Sequence, residues 1–466
     1  MKVGQIIKGS DAVIVHGTAE TEVNAIFSDS RKVTDGSLFI AVKGCNADGR
    51  EFIDSAIGKG AAAVVEADRL SLARCAAAFY GNPSRQLSLI GITGTNGKTT
   101  TVTLLYDMFR SLGHKCGMLS TIANYIEDKC LETKNTTADP ITINSLMREM
   151  VDCGCEYCFM EVSSIGLEQE RVAALDFKVA IFSNLTHDHL DYHKTFDEYL
   201  RCKKLFFDHL SPDAFAITNA DDRNGMVMMQ NTAAGIVTYS VRTLADHSAK
   251  ILEETMDGML LKIDGQEVWL RLIGKHNAYN ALAVYCTAIT LGTAPEDALV
   301  ALSTLKGAKG RLETIRGPRD LSVVIDYAHT PDALENILKT LREVSCKRQL
   351  VCLFGCGGDR DKTKRPEMAA VAGKYADRII VTSDNSRSER TEDIMEDIRK
   401  GFDADSIKKT VFIADRKEAI RAAISFATDG ATILLAGKGH ETYQILGNET
   451  FHFDEREIIA EIFNTK

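Results

Sequence analysis

Tryptophan occurs once and proline seven times in 466 residues, and no stretch approaches the roughly 18 apolar residues that a membrane span needs. Membrane insertion is therefore not expected. The residues from Met1 to Ser10 lack the apolar core and small-residue cleavage site of an export signal. Cysteine is sparse too, at 12 of 466 residues, and its irregular spacing does not suit a disulfide scaffold. Cys153, Cys155 and Cys158 lie close together, but no second Cys/His pair follows at zinc spacing, so they read as ordinary buried thiols. A reduced, soluble, cytoplasmic protein is expected. Excess positive charge is also missing: 55 Lys and Arg stand against 65 Asp and Glu, a net −10, which disfavours binding to DNA or RNA by counterion release. Small anions can still bind locally.

What is present is an ordinary globular composition, 45% hydrophobic and 26% charged. At about 150 residues per domain, the length suggests three domains. Leu87–Thr93 reads as a buried strand, followed by a Gly-rich turn and an amphipathic helix from Thr99 to about Ser111, stopped by Gly113. From Leu321–Asp326 onward, apolar strands near 349–354, 378–383, 410–414 and 431–436 alternate with helical segments, the pattern of a parallel sheet covered on both faces. Between these lie strands at Glu156–Val162 and Lys178–Asn184 and a helix around Asn277–Leu291. The expected division is 1–87, 88–309 and 310–466, all α/β. In such sheets ligands bind beyond the carboxyl ends of the strands.

The turn Thr93-Gly-Thr-Asn-Gly-Lys-Thr99 follows a strand and opens a helix. Its glycines let backbone N–H groups wrap phosphate oxygens, the helix N-terminus adds partial positive charge, Lys98 can reach the β- and γ-phosphates, and the Thr99 hydroxyl can ligate Mg²⁺. Ile92 stands where the strict G-x-x-x-x-G-K-[ST] pattern has its first glycine, yet the strand, turn and helix together indicate ATP binding. Two further strands end in Met160-Glu-Val-Ser-Ser164 and in Ser183-Asn-Leu-Thr-His-Asp-His-Leu-Asp-Tyr-His193. Beside a phosphate loop, these residues suit Mg²⁺ better than zinc, because Mg²⁺ takes hard ligands and leaves places for water and phosphate. Glu161 and Thr99 are assigned to one ion and His189 to a second, with His187 and His193 read as solvated loop residues.

Taken in order, the phosphate loop, Glu161-Val-Ser-Ser164, Asn184-Leu-Thr-His-Asp-His-Leu-Asp191, Gly310-Arg-Leu-Glu313, Asp326-Tyr-Ala-His-Thr-Pro331 and Gly437-Lys-Gly-His-Glu441 resemble the motifs of the Mur ligase family along the whole chain. The resemblance implies a small N-terminal α/β UDP-binding module, a central P-loop ATPase-type α/β domain and a C-terminal Rossmann-like doubly wound domain. The implied activity is an ATP-dependent ligase of peptidoglycan precursor synthesis. ATP phosphorylates a carboxylate of UDP-MurNAc-L-Ala-D-Glu to an acyl phosphate, which the amino group of a diamino acid attacks; the enzyme is expected to act as a monomer.

The resemblance also implies residue roles. Gly94, Thr95, Asn96, Gly97, Lys98, Thr99 and Thr100 hold ATP, with Asn277 near the adenine, Arg311 at the phosphates, and Asp326 and His329 closing over the nucleotide. Lys203, in Tyr199-Leu-Arg-Cys-Lys-Lys-Leu-Phe-Phe207, matches a carbamylated lysine that supports Mg²⁺; without the resemblance it reads as a surface helix residue. Ser30 of Ser28-Asp-Ser-Arg31 is the uridine-side contact, and Thr136, Thr137, Ser163, Gln169 and Arg171 hold the muramoyl peptide and its diphosphate.

Asp384-Asn-Ser-Arg387 resembles the Asp-Asn-Pro-Arg signature of members that add meso-diaminopimelate. A planar guanidinium binds a distal carboxylate bidentately, whereas lysine ends in an ammonium that Arg387 repels. Arg360 adds positive charge, and Glu441 with the Gly437 carbonyl receives the distal ammonium. Ser386 replaces the signature's proline and removes a fixed φ, and Arg390-Thr391 replaces an Asp-Pro. L-lysine and lanthionine are the alternative substrates; a folylpolyglutamate synthetase-like ligase and a non-catalytic nucleotide-binding scaffold are the alternative functions.

Overall fold

The computed structural model describes residues 1–44, 48–186, 190–345 and 348–464, with the backbone alone at 190 and 191. The N-terminal sheet has the order β1 (Val13–His16), β4 (Ala63–Ala67), β3 (Leu38–Val42), β2 (Ile26–Phe27). Alternation along β3 explains why residues 38–41 are all buried, while Val42 at its end is half-buried. Leu38 and Ile40 face a core with Val3, Ile6 and Leu72, while Phe39 and Ala41 face a second core with Val33 and Val64.

The next sheet is built on β5 (Ser88–Thr93), with β6 (Cys116–Leu119), β7 (Asn124–Ile126), β8 (Lys129–Leu131), β9 (Tyr157–Glu161), β10 (Val179–Phe182), β11 (Phe215–Asn219) and β12 (Gly235–Ser240) in the order β12-β11-β10-β5-β9-β6-β7-β8. Pairing is parallel from β12 to β6 and antiparallel in the β6-β7-β8 meander. The meander and strands β11 and β12 lie outside the sequence expectation. The helix after β5 runs Lys98–Ser111, with Gly113 at φ +92° ending it as expected.

The chain then passes through β13 (His247–Thr255), β14 (Gly258–Ile263) and β15 (Gln266–Leu270). Two compact units result: Met1–Lys250 with Ile263–Gln266 and Tyr279–Leu305, and Ile251–Lys262 with Glu267–Ala278 and Lys306–Lys466. In the second unit, the sheet order is β16 (Glu313–Arg316), β17 (Ser322–Asp326), β21 (Thr432–Ala436), β18 (Leu350–Phe354), β19 (Arg378–Val381), β20 (Thr410–Phe412); a hairpin of β22 (Tyr443–Leu446) and β23 (Glu449–His452) follows. Leu350, Cys352 and Phe354 face one core, together with Leu334 and Met368, and Val351 and Leu353 face the other, together with Ile420 and Ile459. This is the doubly wound arrangement expected from the alternation of strands and helices, with the difference that β16 joins antiparallel.

The described cysteines are all free thiols. Cys155 and Cys158 are buried, but Cys153 follows the Pro140–Asp152 helix in an exposed turn, which corrects the reading of all three as buried. Among the described residues, no helix is long and apolar enough to cross a membrane.

Candidate active site

Strand β5 lies between β9 and β10, so Glu161 pairs with Ile92 and Phe182 with Thr93. The phosphate loop thus begins between the two motif-bearing strand ends. Gly94 has φ +152°, and a Cβ there would stand 1.9 Å from Ser183 Oγ. Asn184 shapes the loop: its carbonyl accepts from the Thr95 amide (2.8 Å), its Oδ1 from the Asn96 amide (2.9 Å), and its Nδ2 donates to the Asn96 carbonyl (3.1 Å). Gly97, at φ +89°, leaves room for Asn280, whose Oδ1 would meet a Cβ at 2.4 Å.

Two amines converge on one oxygen inside this loop. Lys98 Nζ donates to the carbonyls of Gly94 (2.8 Å) and Thr95 (2.9 Å), and Lys203 Nζ donates to the same Gly94 carbonyl (2.9 Å). Lys203 is 1% exposed, which corrects its reading as a surface residue. Its helix, Phe196–Asp208, is capped by Thr195, whose hydroxyl accepts from the Glu198 amide. One turn beyond Lys203, the Phe206 ring packs where a Cβ on Gly91 would be, with Cζ at 2.6 Å.

Glu161 is also 1% exposed, and its carboxylate accepts from the Thr121 amide (2.8 Å) and hydroxyl (3.1 Å). Thr136 and Thr137 join this network. The Thr121 hydroxyl bonds Thr136 Oγ1 (3.1 Å), while the Thr137 hydroxyl donates to the Glu161 carbonyl (2.9 Å) and accepts from the Ser163 amide (3.0 Å). Arg171 closes it, donating to the Thr137 carbonyl (2.6 Å) and through Nε and Nη2 to Gln169 Oε1 (3.1 and 2.7 Å). The structure therefore brings together Glu161, Thr136, Thr137, Ser163, Gln169 and Arg171. Ser163 also caps the short helix Ser164–Glu168, and Thr99 and Thr100 are buried at the start of theirs.

His187, Asp188 and His189 lie outside the described residues. His193 corrects the expectation of a solvated histidine: it is 4% exposed, hydrogen-bonded through Nε2 to Ser164 Oγ (2.9 Å) and packed against Tyr199. Its ring is covered because the short helix Leu190–His193 packs onto the helix that follows. In the N-terminal sheet region, Ser30 is buried, its carbonyl accepting from Lys59 Nζ (3.0 Å).

In the second unit, the β17 end holds Asp326, whose carboxylate accepts from the Leu312 and Ala328 amides, both at 2.8 Å. Burial raises its pKa against the pull of Arg311 and those amides. The Arg311 guanidinium lies over the Tyr327 ring (4.9 Å), and the Tyr327 carbonyl contacts His329 Nδ1 (2.9 Å). Gly310 presses so closely on Gly439 and His440 that a Cβ would meet their backbone at 2.2 Å. Asn277 is buried, and its Nδ2 donates to the Ile273 carbonyl (2.8 Å).

The ends of β18, β19 and β21 form a second cluster. Asp384 is buried beside Gly437, and although burial pushes its carboxyl up, the charges of Arg416 and Lys438 hold it below the ordinary value. Glu441 accepts from Asn385 Nδ2 (3.0 Å) and pairs with Lys438 (3.1 Å); burial nevertheless raises its pKa. Arg387 takes φ +49° and donates to the Gly358 carbonyl (2.8 Å), while Ser386 is buried and Arg360 is exposed. Opposite charges thus stand on one pair of loops, as a diamino diacid requires. Lys438 and Arg416, both with fully buried side chains, are supports that the motif reading passed over; Lys438 sits inside a recognised motif, but Arg416 has no local signal.

Three family models match in succession: the Mur ligase family catalytic domain at 22–86, the Mur ligase middle domain at 92–288, and the Mur ligase glutamate ligase domain at 310–439. A protein of Parabacteroides distasonis called "UDP-N-acetylmuramoyl-L-alanyl-D-glutamate--2,6-diaminopimelate ligase" is 49% identical, with all of each chain covered. A solved structure of a ligase with that name superposes with a TM-score of 0.72 at 30% identity, covering 100% of this chain and 99% of its own. Folylpolyglutamate synthase of Mycobacterium tuberculosis covers 79% of this chain and 92% of its own at 18% identity and a TM-score of 0.63, a likeness of fold alone. With all three models matched in order and half of all positions shared with a relative along its full length, the chain belongs to the Mur ligase family and has its three-domain α/β fold.

Proposed function

We propose that this chain is an ATP-dependent ligase that joins meso-diaminopimelate to UDP-N-acetylmuramoyl-L-alanyl-D-glutamate in peptidoglycan precursor synthesis, acting in the cytoplasm as a monomer. The observation that carries the reading is the placement of Glu161 and the Thr136–Arg171 network beside the phosphate loop, because a carboxylate acceptor must be held where the γ-phosphoryl group arrives. Its domains are 1–87 for the UDP end, 88–309 for ATP and 310–466 for the amino acid.

The loop amides from Gly94 to Thr100 bind the phosphates, and Lys98 moves from the Gly94 carbonyl to the β- and γ-oxygens. Arg171 and Gln169, with Thr136, Thr137, Ser163 and the more distant Ser30, hold the acceptor nucleotide. Asn277, Arg311, Asp326 and His329 serve the ATP. Phosphoryl transfer to the acceptor carboxylate gives an acyl phosphate and ADP; the amine of the diamino acid then attacks the acyl carbon and phosphate leaves. Arg387 and Arg360 receive the distal carboxylate, while Glu441, Asp384, Asn385, the Ser386 backbone and the Gly437 carbonyl receive the ammonium end.

Hard oxygen donors at Thr99 and the buried Glu161 suit Mg²⁺, and His189 is assigned to a second ion. Such ions neutralise the charge shared by the phosphate and the acceptor carboxylate. The two amines on the Gly94 carbonyl support carbamylation of Lys203: two ammonium groups there repel, whereas a carbamate on Lys203 attracts Lys98 and offers a further hard donor. The reading is tested by ATP-dependent phosphate release with the UDP-linked dipeptide and one amino acid at a time. Turnover is expected with meso-diaminopimelate; turnover with L-lysine or lanthionine instead overturns the assignment of the amino acid.

A further inference from the structure

We propose that Arg365 is a positioning residue for Arg387, and that its pairing with Glu389 replaces the proline missing at Ser386 as the device that fixes the specificity loop. The inference rests on the function proposed above. Arg365 enters the helix Lys364–Tyr375 with its side chain fully buried. Its Nη1 and Nη2 grip both oxygens of Glu389 at 3.0 and 2.9 Å, and the same nitrogens reach Asp397 (3.0 Å) and the Gly357 carbonyl (3.3 Å). One guanidinium thus ties the loop after β18 to the loop after β19.

The tie passes to Arg387 through Asp359 and Ser388. Glu389 accepts from the Asp359 amide (2.7 Å), and the Asp359 carboxylate accepts from the Ser388 amide (3.2 Å) and hydroxyl (2.5 Å), the residue beside Arg387. The Gly358 amide donates to the Asn385 carbonyl (2.9 Å), and Arg387 returns a hydrogen bond to the Gly358 carbonyl. A Cβ on Gly358 would stand 1.9 Å from the Ser386 carbonyl oxygen, so the two backbones are in contact. Both Arg387 (φ +49°) and Asp359 (φ +55°) are held in the left-handed region, which side chains other than glycine adopt when the surroundings enforce it. Hydrogen bonds from Arg365 first, then Lys362, hold the Glu389 carboxyl at about 2, so the pairing persists throughout the neutral range. Proline restrains such a loop by fixing one φ; here a buried cation restrains it from the side.

Glu389→Gln keeps the shape and removes the charge. Steady-state rates are expected to show KM for meso-diaminopimelate rising about tenfold, the loss of one charge-assisted bond, with kcat and the KM for ATP within about twofold of wild type. Ser386→Pro added to Glu389→Gln is expected to recover most of that KM. An unchanged KM for the diamino acid, or an equal rise in KM for ATP, overturns the proposal. Wild-type protein that turns over no diamino acid overturns the functional reading instead, and backbone amide exchange across 384–390 then decides the positioning claim: faster exchange in Glu389→Gln supports it, and unchanged exchange overturns it.

Discussion

Arg416→Met is expected to destabilise the second unit by about 3–5 kcal/mol, the range for breaking a buried ion pair from one side. Arg416 and Glu455 both have side chains with no exposure, 2.9 Å apart. Arg416 also donates to the Ser383 carbonyl (3.1 Å), two residues past β19, and to the Ala436 carbonyl (2.9 Å) at the end of β21. Removing it leaves a buried carboxylate whose second oxygen already has no hydrogen-bond partner among the described residues. In a unit of this size, at about 2–4 °C per kcal/mol, the midpoint falls by roughly 6–20 °C. Urea unfolding followed by far-UV circular dichroism measures the loss, and amide exchange in β19 and β21 locates it. Arg416→Met/Glu455→Leu is expected to recover most of the loss, because no charge is then left buried, though the two carbonyls still lose that donor. A single variant within about 1 kcal/mol of wild type refutes the reasoning, as does a double variant no more stable than the single.

Lys203→Ala should lower kcat by about 100-fold or more, the scale of losing one electrostatic contribution at a phosphoryl-transfer site, with partial recovery on adding a short carboxylic acid. A wild-type rate removes Lys203 from the mechanism. Burial raises the Glu441 pKa above the ordinary 4.5 despite Lys438, so the ionised form that its proposed role requires is lost as pH falls through that raised value. The acid limb of kcat/KM for the amino acid should therefore lie above 4.5 and disappear in Glu441→Gln, which pH-rate profiles check.

The parts legible in the sequence are those whose causes are local. The phosphate loop could be read because strand, glycines and helix are consecutive, and the doubly wound second unit because apolar strands alternate with helices. Glu161 and Ser183 could be placed because both end strands that adjoin β5. Arg416 could not, because its burial depends on Glu455, 39 residues away. Thr121, which holds Glu161 from 40 residues away, was missed for the same reason, as was the meander that carries the chain there. His193 was misread because a histidine among polar neighbours reads as solvated until Ser164 and Tyr199 fold over it. Ser386 in place of proline showed only that a fixed φ is lost, whereas the hydrogen bonds to Asp359 and Arg365 come from the neighbouring strand's loop and helix.

The Phe206 ring against Gly91 gives the lysine helix a mechanical role. Phe206 touches the strand three residues before the phosphate loop, and Lys203, one turn back on the same helix face, touches the loop itself. Two points of attachment index the helix both in translation and in rotation. A slip of one residue would carry the amine about 1.5 Å along the axis and swing it by about 100°, so the gauge that sets this nitrogen against the Gly94 carbonyl is an aromatic ring resting on bare backbone.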